Sequence, residues 1–167
     1  MPRINTDQPS SGKPLLLHIP SSSNSGFVNT TWLTIAEAPD FSIPASGEDG
    51  ATVDPADSGR ELRPGEVFIE TPLHAVNTTA TTCWVELQML LQGTSGQAIP
   101  VTPRVPVPAN DSVYLPIQGL RLLKTDLTNT QPGGRLQIQA EVGNAIKIMG
   151  TAIEIEAQTH APDSEAP

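Results

Sequence analysis

Cysteine is nearly absent: Cys83 stands alone in 167 residues, so neither an internal disulfide nor a cysteine-built metal cluster can form. Aromatic residues make up 4% of the chain, which leaves the core to aliphatic side chains. Positive charge is short as well, with 9 Lys and Arg against 18 Asp and Glu. The net charge of −9 repels phosphate backbones and anionic lipid, so neither nucleic acid nor a membrane is an expected partner. Apolar runs last a few residues, far below the ~20 that a membrane-spanning helix needs. The island Leu15–Ile19 is short, runs into Pro20 and lacks a small-residue cleavage site, so it does not read as a secretion signal. A soluble chain made in a reducing cytoplasm is expected. Helical periodicity is missing too, and 17 Pro with 13 Gly work against long helices, since a proline inside one costs about 3 kcal/mol.

Signatures of catalysis are also lacking. There is no phosphate loop, no G-x-G-x-x-G, no H-E-x-x-H and no nucleophile elbow. His18, His74 and His160 share no spacing, so a zinc site is not expected. The stretch from Pro39 to Gly59 carries Asp40, Glu48, Asp49, Asp54 and Asp57, but without the alternating acidic spacing of an EF-hand; a solvated loop is expected rather than a calcium site. Glu154 and Glu156 sit two apart on one strand face, as charged outer positions of a sandwich commonly do. Sequons at Asn29, Asn77 and Asn110 read as turn chemistry. No enzymatic function and no cofactor are expected.

What is present is alternation. Leu136, Ile138, Ala140 and Val142 alternate with Gln137, Gln139 and Glu141, a period of two that separates a dry strand face from a wet one. Gly143-Asn144 then reads as a tight hairpin turn. The return run places Ile146 and Ile148 on one parity and Ile153, Ile155 and Ala157 on the other, which predicts a β-bulge at Gly150. Thr30–Ala36 predicts a strand with Leu33 and Ile35 facing one way, Trp32 and Thr34 the other. Glu66–Val76 predicts a strand that lies at an edge or breaks at Pro72, which cannot donate to a ladder. Thr82–Gln92 is the best central strand, with Cys83, Val85, Leu87, Met89 and Leu91 inward; Cys83 is then a small core residue. Prolines at 100, 103, 106, 108 and 116 mark an edge or rim segment.

About seven short strands with turn residues between them predict an all-β fold, an antiparallel β-sandwich of jelly-roll or immunoglobulin-like type. Its expected limits are 27–157, with an extended N-terminal arm over 1–26 and an acidic C-terminal tail over 158–167. The apolar island of the arm, through Leu15, Leu17 and Ile19, is expected to contact a neighbouring chain. Trp32, Trp84 and Tyr114 are the stacking platforms, either at a subunit interface or core or as a glycan platform.

The segments TTWLTIAEAP, ELRPGEVFIETPLHAVNTTATTCWVELQMLLQ, VPVPANDSVYLPIQGLRLLK and GGRLQIQAEVGNAIKIMGTAIEIEA, in that order, resemble small β-sandwich virion proteins of tailed bacteriophages. The matching features are T-T-x-L in the first strand, the turn Ala75–Thr79, the lead-in Val105–Ser112, and the closing stretches Gly134–Ala140 and Gly150–Ile155. Arg135 departs from the pattern, where an acidic residue is usual, and the loop from Pro39 to Gly65 is long for it. The resemblance spans roughly 30–157 and rests on structural turns, so it implies no catalytic residues. It implies a non-enzymatic virion component assembled in the host cytoplasm, foremost a capsid decoration (cement) protein that stabilises the shell. The alternatives are a neck, tail or fibre component, or a carbohydrate-binding host-adhesion module. Expected partners are the major capsid protein or neck and tail proteins. Self-association is also expected, a trimer in preference to a dimer.

Overall fold

The computed structural model describes residues 12–39, 61–63, 65–91, 97–124, 132–155 and 158–160. Along the chain the strands are β1 (Lys13–Leu17), β2 (Leu33–Glu37), β3 (Glu61–Arg63), β4 (Gly65–Ile69), β5 (Leu73–Asn77) and β6 (Cys83–Leu90). They continue as β7 (Ala98–Val107), β8 (Ser112–Leu115), β9 (Arg121–Lys124), β10 (Arg135–Ala140), β11 (Ile146–Ile155) and β12 (Gln158–His160). One sheet runs β8-β5-β11-β4-β9, with β1 added on β11; the second runs β2-β10-β6-β7; β3 and β12 pair separately. Every pairing is antiparallel. The inner faces of the two larger sheets share one aliphatic core, in which Val67, Ile69, Leu73 and Ala75 of one layer meet Val85, Leu87, Leu136 and Ile138 of the other. Each large aliphatic side chain buried there contributes roughly 1.5–3 kcal/mol. The fold is an antiparallel β-sandwich, as the alternation predicts.

The stretch after Gly133 is not a hairpin. β10 pairs with β2 and β6, whereas β11 belongs to the other sheet, so the turn at Gly143-Asn144 carries the chain across the sandwich. Asn144 takes φ 58 there, a left-handed conformation that asparagine tolerates. Nor is there a bulge at Gly150. Ile146, Ile148, Gly150 and Ala152 all point inward, and Ile153 and Ile155 lie on the outer face. Gly150 holds an inward position close against Leu73: an added Cβ would come within 3.1 Å of Leu73 Cδ1 and reach ordinary contact with Leu17 Cδ1 at 3.5 Å. The irregularity sits in the partner strand. Met149 faces His74 and Ala152 faces Ile69, so three steps along β11 match five along β4 and β5. The extra length is taken up at Glu70–Pro72, where both Glu70 and Thr71 donate to the Thr151 carbonyl.

Pro72 thus interrupts its strand as expected, but β4 and β5 are interior to their sheet, flanked by β11 on one side and by β9 and β8 on the other. They need no second subunit to cover an edge. The proline-rich segment does form an edge, since β7 ends the four-stranded sheet. β6 is central, with Cys83, Val85 and Leu87 buried, although Leu91 is exposed beyond its end. In β2 the pairing shifts, Ala36 facing Leu136 and Thr34 facing Gln137. Ile35 is the extra residue, and Ala36 rather than a continuation of the odd parity turns inward.

Within the expected arm over 1–26, the described residues begin at Gly12 and lie against the sandwich. β1 adds to β11 from Lys13↔Glu154 to Leu17↔Gly150, and Leu17 and Ile19 are buried in this chain's own core at 0% and 7% exposure. The carboxylates at 40, 48, 49, 54, 57 and 156, the side chain of His160, residues 1–11 and most of the acidic tail lie outside the described residues.

Candidate functional site

Two outer faces remain once the core is closed, and they differ in kind. On the four-stranded sheet the outward positions of β10 and β6 are amides and a carboxylate set side by side. Gln88 donates to Gln137 at 2.9 Å and Gln137 donates to Thr34 at 3.2 Å. Gln139 donates to Glu86, whose other oxygen lies 3.6 Å from Arg104. The Arg104 guanidinium lies 4.1 Å over the Trp84 ring, and the Trp84 backbone N–H donates to Glu141. Arg104 is largely exposed, so its ion pair is worth about 0.2–1 kcal/mol and its ring contact about 0.5–1 kcal/mol. The polar groups of this face are turned toward one another, and one face of its tryptophan is already covered.

The outer face of the six-stranded sheet is different. Cross-strand register sets Pro14, Ile153, Phe68 and Arg121 in one row, Ile155, Glu66 and Leu123 in the next. Further along stand Leu16 opposite Thr151, then Met149, His74 and Tyr114 in a row. Four of these side chains are large, apolar or aromatic and open to solvent: Tyr114 at 69%, Met149 at 58%, Leu16 at 50% and Leu123 at 43%. The Tyr114 and His74 rings stack at 4.5 Å and 15°. Arg121 pairs with Glu66 at 3.5 Å and lies 5.5 Å from the Phe68 ring. Methionine, tyrosine, phenylalanine and arginine are residue types enriched in protein–protein contacts relative to the rest of a surface. At the seam between the sheets, Met89, Leu90, Leu91, Leu122, Leu123, Arg121 and Gly134 line an apolar cleft of about 290 Å³ that adjoins this face through Arg121 and Leu123.

The three aromatic platforms are not brought together. Trp84 lies on the polar face, Tyr114 on the opposite sheet, and half-buried Trp32 just ahead of β2. Leu15 is half-buried against the core. His18 follows β1, while His74 belongs to the Tyr114 stack; among the described residues no three His, Cys, Asp or Glu side chains are grouped for a metal ion. Cys83 is a buried core residue.

The sequons are turn residues. The buried Asn77 side chain donates to the carbonyls of Thr81 and Val107 at 2.8 and 2.9 Å and accepts from the N–H and hydroxyl of Thr79 at 2.9 and 2.8 Å. It folds the Ala75–Thr79 turn and ties it to β7. Asn29 accepts from the Thr30 N–H at 2.7 Å, and Asn110 takes φ 52 in its turn. What sequence reasoning missed is the outer strip of Leu16, Phe68, His74, Leu123 and Met149. The signal was parity: each alternates with residues that face the core.

No family model matches the chain, and no curated protein matches it. Among solved structures, a chain from "Structure of infectious bursal disease virus Gx strain" is similar at a TM-score of 0.33 and 12% identity. That likeness covers 100% of this chain and 39% of the viral one, so the chain spans well under half the length of the protein it matches. At that score the likeness assigns neither fold nor function.

Proposed function

We propose that this chain is a non-enzymatic structural component of a virion, a capsid decoration protein of the tailed-bacteriophage kind, seated on its neighbours by the outer face of the six-stranded sheet. The observation that carries the reading is the open strip of Leu16, Met149, Tyr114 and Leu123 on that face. An exposed apolar strip on a chain of net charge −9 favours a fixed partner that excludes water from it. The resemblance of the turn Ala75–Thr79 and the lead-in Val105–Ser112 to phage virion proteins supplies the kind of partner: the major capsid protein, or neck and tail proteins for a subunit placed elsewhere on the particle. Many copies on a symmetric shell let weak contacts sum through multivalency, and a trimer would suit a local three-fold.

The test is mass spectrometry of purified particles, paired with a face variant. The native chain should be present at a fixed ratio to the capsid protein. The double variant M149E/L123E, whose two side chains are exposed, should fold normally and be lost from particles by at least tenfold. Absence of the native chain refutes the virion reading. Full retention of the variant refutes the face.

A further inference from the structure

We propose that β1 is an exchange strand: Lys13–Leu17 of one copy occupies the groove beside β11 of a second copy, with residues 20–27 as the hinge. This goes beyond the virion reading and stands without it. The groove is built for this segment. Gly150 faces inward, where an added Cβ would crowd Leu73 Cδ1 at 3.1 Å and touch Leu17 Cδ1 at 3.5 Å. Leu17 lies directly opposite Gly150, so the largest side chain at the end of β1 packs over the position that carries none. β1 is terminal in its sheet and joins it through β11 alone. Withdrawing it breaks one ladder and leaves the rest of the sheet paired. The groove of a second copy is identical, so the pairing and burial given up within one chain are restored between two.

The hinge is what makes the transfer possible. Residues 20–27 are folded into successive tight turns by three local backbone bonds, Ser23 N–H to Pro20, Gly26 N–H to Ser23 and Phe27 N–H to Asn24. Ser21 to Ser25 are all exposed, so water replaces those bonds when the turns open. Asn24, Ser25 and Gly26 take φ of 47, 54 and 84, a left-handed run that serine disfavours and that extension relieves. Fully extended, residues 20–27 reach about 28 Å, enough to cross from one small domain to the next. Beyond the hinge the chain is fixed again. Val28 donates to the Ile146 carbonyl at 2.8 Å and the Asn29 carbonyl accepts from Ala140 at 2.9 Å, which anchors the base of the arm to both sheets.

Leu16 and Thr151 are opposite partners in this pairing and both are exposed, and antiparallel partners lie within the Cα separation that a disulfide spans. Full-length L16C and full-length T151C, distinguished by mass, are mixed at rising protein concentration and oxidised; Cys83 is buried and stays out of reach. A disulfide between the two different chains should accumulate with concentration to at least tenfold the yield of L16C mixed with T34C, whose cysteine is exposed on the other sheet. A yield no greater than that control overturns the proposal. Deleting Ser21–Ser23 shortens the hinge and should convert the protein to a folded dimer. A folded monomer, or a chain that no longer folds, overturns it as well.

Discussion

Asn77 offers the sharpest test of how this sandwich is held. It is buried at the end of β5, and its side chain makes four hydrogen bonds, two donated and two accepted. Asn77→Ala removes all four. At a net contribution of about 1 kcal/mol each the sum is about 4 kcal/mol, and water reaching the more exposed Thr79 and Thr81 partners should trim the loss to about 3 kcal/mol. For a domain of this size that lowers the melting temperature by roughly 6–12 °C. Asn77→Asp is the more discriminating change, because it keeps the oxygen that accepts both Thr79 bonds and replaces the NH2 group with an oxygen facing two carbonyls. Burial and those carbonyl dipoles raise the carboxyl pKa in the folded state above the ~3.9 of the unfolded chain. The folded state then holds its proton more tightly, so stability falls as pH rises from the unfolded value through the raised one. The gap to the native protein should be widest at neutral pH and narrow toward pH ~4, where the protonated carboxyl can donate once. Urea unfolding between pH 4 and 8 measures both effects. A loss under about 0.5 kcal/mol in both variants, or a gap that widens in acid, would refute the reasoning.

Two further changes probe other joints. Gly150→Val forces a branched side chain against Leu73 and Leu17; it should cost about 1–3 kcal/mol by overpacking, and amide exchange at Leu15–Leu17 should accelerate far more than at β6. Thr102→Val leaves the Leu87 N–H without the hydroxyl that accepts from it at 3.1 Å where the β6–β7 pairing shifts. A loss of about 1–3 kcal/mol in thermal unfolding is expected, against almost none for Thr34→Val at an exposed position.

The parts of the fold that could be read from sequence are those where one residue's environment depends on its near neighbours. β6 was legible because period-two alternation reports directly on a strand with one buried face, and β7 because proline cannot serve a central ladder. The crossing at Gly143-Asn144 was not, since the same two residues serve a hairpin or a passage between sheets. The choice is made by distant partners: β10 docks on β6 and β2, and β11 on β1, β4 and β5. Pro72 likewise signals an interruption but not which strands flank it. The strand β1 was hidden by its surroundings, a short apolar island among serines and prolines whose acceptor groove lies more than a hundred residues away.

The misreading at Gly150 has a different origin, and it bears on function. Assigning isoleucines inward is sound wherever the outer face of a sheet is wet. It fails at Ile153 and Ile155 because the outer face here also carries apolar side chains, Phe68, Leu123 and Leu16, among its polar ones. On the four-stranded sheet the same rule succeeds, since Gln137, Gln139, Gln88 and Glu86 meet water and one another. The place where alternation misleads is therefore the place where this sandwich departs from the needs of folding alone. A second hydrophobic face adds nothing to the core and carries a solubility cost that a net charge of −9 helps to offset. The polar face, with its amides paired and Trp84 beneath Arg104, has few groups left to offer a partner. The apolar face has Tyr114 and Met149 open to solvent beside the Arg121–Glu66 ion pair, and it is the face that the proposed virion contact would cover.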